Sequence, residues 1–307
     1  MTRATYLRAV RSFAHGNQPL PGVERSSGEF PSVEITFEPP NASRRPQWFP
    51  SLLRVMSEPQ ACEVENVIVH GSWGDGTAIA YSDLDVTLAL SQAHMSDPVV
   101  VARTQRWIDY SLFPFLVSVD AQQHHGPFLL WPGYREAYSE RVLPLATYQD
   151  NRAWSIRKQT LRFTLTEDPV TGEPESLRCA RRLANAKDTF FRYGFDRYSF
   201  KRMVSNATLL PAYFMGDIGL PTTKSLSFEQ FYSQMGEEVP LIRLAESIRA
   251  GWEPPSVHFS KTAQRLARSA YAYRGIHAIT KTPGRTEAKL LAKLAAELIP
   301  LVERRFE

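Results

Sequence analysis

Only two cysteines occur in the 307 residues, Cys62 and Cys179. They stand far apart without metal-type spacing, which excludes a disulfide framework or a zinc-ribbon module and fits two small buried thiols in a reducing cytoplasm. Nowhere does the chain reach the roughly 18 to 20 uncharged apolar residues needed to span a bilayer. The first 21 residues carry arginines but no continuous apolar stretch, so no signal peptide is expected. There is no internal repeat and no low-complexity tract, which argues against a solenoid or a disordered tail. Lysine is missing altogether from residues 1–150.

What is present suits a soluble, core-forming chain: 43% of residues are hydrophobic and 22% are charged. The length is about twice that of one common domain. Charge divides unevenly along it. Residues 1–150 hold 11 arginines and 16 acids, a balance of −5, so the overall +4 leaves 25 basic and 16 acidic residues, +9, for residues 151–307. An acidic half that gathers cations and a basic half that attracts anions would follow from such a division.

Periodicity divides the chain in the same way. Ser32–Phe37 reads as a strand inside a Pro-, Ser- and Asn-rich arm, and Phe49–Met56 as a helix ended by Glu58-Pro59. Glu65–His70 is a short apolar run leading into Gly71-Ser72, and Asp83–Leu90 (DLDVTLAL) a second strand. Asp97 is placed to cap a helix through Val100, Val101, Trp107 and Ile108. Phe115–Asp120 (FLVSVD) reads as a third strand. Beyond about Tyr148, apolar stripes at helical spacing dominate: Leu177 to Phe191, Met203–Met215, and Leu290 to Leu301. The expectation is an α+β chain with a small mixed sheet and flanking helices, followed by a C-terminal helical bundle. The domains expected are an arm over residues 1–48, a catalytic domain over 49–150 and a helical domain over 151–307, with the site in the cleft between the last two.

The chemistry concentrates in Val69–Leu88, V-H-G-S-W-G-D-G-T-A-I-A-Y-S-D-L-D-V-T-L. Gly71 permits a tight turn directly after a strand, and Ser72 adds a hydroxyl beside exposed amides, a setting suited to phosphate oxygens. Asp83 and Asp85 alternate along the following strand and so share a face. Two carboxylates on one face repel when bare and become favourable around a hard divalent cation such as Mg²⁺.

This stretch resembles the signature of the DNA polymerase beta-like nucleotidyltransferase superfamily, an apolar strand, Gly-Ser, about ten residues, then Asp-x-Asp between apolar residues. Ser82-Asp83-Leu84-Asp85 is most similar to the form found in small bacterial members, antibiotic nucleotidyltransferases among them. The resemblance covers residues 60–125 by motif and the second half by general character. It implies a third acid on a later strand, for which Asp120 is the candidate and Asp109 the competitor. It further implies two Mg²⁺ ions held by Asp83, Asp85 and Asp120, and a nucleoside triphosphate, ATP, as substrate. An acceptor hydroxyl would attack the α-phosphorus in line while pyrophosphate leaves. Gly71 and Ser72 would meet the triphosphate, helped by a basic side chain from the second half: Lys187 or Lys201, with Lys158 a further candidate.

Asp75 departs from the pattern, since a carboxylate inside the phosphate turn repels phosphate unless it faces away. His124-His125 follow Asp120 closely, as loop donors or as contacts to the acceptor rather than as zinc ligands. The basic, tyrosine-containing stretch 256–307 leaves an RNA partner open. Three readings result: nucleotidyl transfer to a small hydroxylated molecule, transfer to RNA, tRNA or protein, and a nucleotide-binding regulatory or defence protein with reduced catalysis. Each is cytoplasmic, without a membrane partner.

Overall fold

The computed structural model describes residues 31–58, 63–120, 123, 126–140, 143–165, 173–186, 197–220, 222–235, 239–252 and 284–306. The first 30 residues of the arm, Cys62, and the basic stretch up to residue 283 with Tyr271 and Tyr273 lie outside the described residues.

The architecture is α+β. Two long apolar runs, β2 (Val64–His70) and β3 (Asp85–Leu90), pair antiparallel at the centre of a four-stranded mixed sheet. β4 (Phe128–Leu130) joins β3 in parallel, and the two-residue β5 (Trp154–Ser155) joins β2 antiparallel, giving the order β4-β3-β2-β5. A second sheet pairs β1 (Ser32–Phe37) with β6 (Gln159–Thr164), Ser32 opposite Thr164 and Phe37 opposite Gln159.

The central strands are buried on both faces. On one side Val67, Val69, Val86 and Leu88 pack against α1 (Phe49–Met56), α3 (Pro98–Trp107) and α4 (Phe113–Val119) through Leu52, Val101, Trp107, Phe115 and Leu116. On the other side Tyr148 lies over Thr87. Phe37 meets the Tyr148 ring edge-on at 5.5 Å and Phe163 stacks on it at 6.2 Å. Burying each such aliphatic or aromatic side chain contributes about 1.5–3 kcal/mol.

One expectation is corrected. FLVSVD is not a strand: Phe113–Val119 is helical, with Pro114 in its first turn, and it continues from α3 through a wide π turn at Ile108–Leu112. Its apolar run reflects the burial of Phe113, Phe115, Leu116 and Val117. β5 and β6 find their partners in β2 and β1, so among the described residues the first compact unit takes in 147–165 along with those up to Ser139.

Among the described residues the second unit holds helices α5 (Glu175–Ala184), α6 (Arg197–Asp217), α7 (Lys224–Met235), α8 (Pro240–Ala250) and α9 (Arg285–Glu303), with α6 packed against the other four. Pro174 brings no side-chain cap to α5. The carboxylate of Asp217 serves instead, accepting from Glu175 N at 3.0 Å and Ser176 N at 2.8 Å. Cys179 is buried here, and burial pushes its thiol up to about 12, an inert setting. Among the described residues no helix is long and apolar enough to cross a membrane.

His94 is 3% exposed, with Nε2 against Thr104 Oγ1 at 2.9 Å and Nδ1 against the Ser91 hydroxyl and carbonyl at 3.2 and 3.3 Å. Burial lowers its pKa below the usual histidine value. A ring kept neutral in the fold contributes stability above about pH 6.5, its unfolded value, that is lost as pH falls through the lower folded value. The urea midpoint should therefore drop on acidification below that pH, and His94→Gln should flatten the drop. An unchanged slope in His94→Gln would show that other groups set it.

Candidate functional site

β2 ends at His70, and the register places His70 directly opposite Asp85, the first residue of β3. Gly71 follows at once with φ +62°, turning the chain into the five-residue helical turn α2 (Gly71–Asp75). A Cβ on Gly71 would stand 2.5 Å from Asp85 Oδ2. The left-handed backbone favours glycine here, and a side chain would also displace the Asp85 carboxylate that lies against it. The Gly-Ser bend and the second acid of the Asp-x-Asp pair thus form one local structure.

Leu84 and Val86 are fully buried, whereas Asp85, which opens β3, and Asp83, two residues before it, are partly exposed. The approach to them is shaped by short-range bonds. Ser82 Oγ accepts from Ile79 N at 3.0 Å and Ser82 N donates to Ile79 O at 2.9 Å, closing a turn one residue before Asp83. Asp75 accepts from Thr77 N at 2.9 Å and Thr77 Oγ1 at 2.6 Å. That carboxylate is engaged in folding its own loop.

Behind α2 the packing is tight. A Cβ on Gly74 would lie 2.2 Å from the Arg152 carbonyl oxygen, so the loop through Asp150 and Asn151, both with positive φ, rests directly on the helical turn. Trp154 Nε1 donates to Trp73 O at 3.3 Å, and Trp48 contacts Trp73, Trp154 and Phe115 with centroids 5.5–5.8 Å away. The bend is therefore set on a rigid aromatic base.

Asp120 lies at the C-terminal end of α4, in extended conformation with φ −124° and ψ 107°. Its carbonyl accepts from Gln123 N at 3.0 Å. The Gln123 side chain then grips the backbone between the two acids: Leu84 N donates to Gln123 Oε1 at 3.1 Å, and Gln123 Nε2 donates to Leu84 O at 3.3 Å. One buried amide thereby replaces a strand partner at a point where the β2–β3 ladder has already ended at its His70–Asp85 pair. The sequence alone assigns this glutamine no role. Its partner lies 39 residues away, and no local signal marks it.

Among the described residues no group of three or more His, Cys, Asp or Glu side chains is assembled to hold a metal ion. Asp83 and Asp85 share one strand end, and Asp120 is tied to that end through Gln123 rather than gathered into such a group. The competitor, Asp109, sits in the π turn and accepts from Gln105 Nε2 at 2.9 Å. Lys201, a candidate for the triphosphate, is wholly buried on α6 in the second unit. Lys158 is exposed and paired with Glu38 at 2.6 Å, a surface pair of about 0–1 kcal/mol. Lys187, His124 and His125 lie outside the described residues.

Neither models of protein families, nor curated proteins, nor solved structures gave a match to this chain. What the site does must be read from its own residues.

Replacing Gln123 by Leu keeps bulk but leaves the buried N–H and C=O of Leu84 unpaired, about 1–3 kcal/mol for each group. Chemical denaturation should show a loss of that order. A loss no greater than for a surface Gln→Leu control would mean that Gln123 does not hold the strand.

Proposed function

We propose that this chain is a magnesium-dependent nucleotidyltransferase of the DNA polymerase beta-like kind, transferring AMP from ATP to a hydroxyl of a small acceptor with release of pyrophosphate. On this reading the mixed sheet is the catalytic core, and the helices of the second unit correspond to the C-terminal bundle of such enzymes. The observation that carries the proposal is the contact of Gly71 with Asp85. A bend that any side chain would obstruct lies against one of two acids alternating around the buried Leu84.

The donor set fits the ion. Asp83 and Asp85 offer carboxylate oxygens only, the chemistry Mg²⁺ prefers, and a side chain at position 71 would crowd Asp85 Oδ2. Bound there, divalent ions would neutralise phosphate charge and acidify the acceptor hydroxyl. The chain's own residues supply placement. Leu84, buried and gripped by Gln123, holds the backbone between the two carboxylates. Gly71 and Ser72 are assigned to the triphosphate, and Asp120, at the end of the segment that Gln123 ties to the acids, is assigned as the third acid.

Incubating the protein with each labelled nucleoside triphosphate, Mg²⁺ and separate pools of metabolites, RNA and protein should place label in the metabolite pool. Label in RNA or protein would redirect the acceptor, and label in none would favour a nucleotide-binding regulatory protein. Asp83→Asn and Asp85→Asn should each abolish transfer with the unfolding midpoint preserved. Asp120→Asn should bind nucleotide yet fail to transfer it. Full turnover in the Asp83 and Asp85 variants would refute the site.

A further inference from the structure

Beneath Asp85 runs a buried chain of three polar side chains. Thr87, two residues along β3, places Oγ1 3.0 Å from His70 Nε2 and 2.8 Å from the Tyr148 hydroxyl. Thr87 is 1% exposed, His70 2% and Tyr148 3%. The His70 ring is enclosed by Tyr148, edge-on at 5.5 Å, and by Phe128 at 5.4 Å.

The direction of this chain follows from counting protons. Burial raises the Tyr148 phenol further above its ordinary value, so it keeps its proton. Among the described residues the hydrogen-bond partner of that hydroxyl is Thr87 Oγ1. A buried O–H left undonated costs about 1–3 kcal/mol, so Tyr148 donates to Thr87. Thr87 has one proton of its own, and the remaining neighbour is His70 Nε2, so the threonine donates there. Nε2 is then an acceptor, and in the neutral ring the proton resides on Nδ1. The opposite polarity would strand the phenolic proton.

His70 stands directly across the ladder from Asp85, a pairing that brings Cβ atoms to about 4.5–5.5 Å. We propose that Tyr148 and Thr87 lock His70 as the Nδ1–H tautomer and make it a positioning residue for the Asp85 carboxylate. The role rests on the acid-pair reading above, whereas the tautomer itself does not. Hydrogen bonds to a ligating carboxylate fix its rotamer, and losing such support lowers metal affinity by about 10–100-fold.

The test uses the full-length protein with ¹⁵N-labelled histidine, the His70 ring being assigned by its loss in His70→Asn. Metal-free spectra should show Nδ1 protonated and Nε2 accepting. Thr87→Val should move the ring toward Nε2–H, Thr87→Ser should keep the wild-type pattern, and Tyr148→Phe, a milder change, should move it partway. Mn²⁺ titrations should show affinity falling at least about tenfold in Thr87→Val and recovering in Thr87→Ser. A wild-type ring protonated at Nε2, or one unmoved in both Thr87→Val and Tyr148→Phe, overturns the lock. A moved ring with unchanged Mn²⁺ affinity overturns the positioning role. A wild-type protein that binds no Mn²⁺ brings down the acid-pair reading and the role with it, while the metal-free spectra still judge the tautomer.

Discussion

The antiparallel ladder of β2 and β3 is the constraint on which the rest depends. Its last pair, His70 with Asp85, fixes where the chain must turn, which residue can make the turn, and which face receives the acids. Slipping the register by one residue would bury Asp85 and expose Leu84, so the hydrophobic pattern of DLDVTLAL holds the chemistry in place as firmly as any polar contact. The core is what makes the site reproducible.

Two buried side-chain amides finish what the ladder leaves incomplete. Gln123 pairs both backbone groups of Leu84. At the other edge Asn66, fully buried in β2, gives Nδ2 to Arg157 O at 2.8 Å and receives Arg157 N on Oδ1 at 3.3 Å. Each lets the sheet continue past the end of a regular strand without orphaned N–H or C=O groups. A sheet with strands of two and three residues at its edges depends on such substitutes.

Much of this was legible from local pattern. β1 and α1 fall on the expected residues, and Asp97 caps its helix through Val99 N at 2.7 Å. FLVSVD misled because a short, largely buried helix presents much the same apolar run as a buried strand, and its valines favour the wrong choice. Pro114, in the first turn of that helix, was the discriminating residue. The grip of Gln123 on Leu84, the Tyr148–Thr87–His70 chain and the enclosure of Lys201 were out of reach for another reason. They join residues dozens of positions apart, and a single sequence carries no sign of which polar groups meet.

The pairing of β1 with β6 joins residues as much as 132 positions apart in the chain. During synthesis the first strand cannot take up this pairing until the sixth has left the ribosome. The Phe37–Tyr148–Phe163 cover over Thr87 therefore closes late, and a nascent chain stalled before residue 159 would hold the acid motif without the lid that keeps its underside dry.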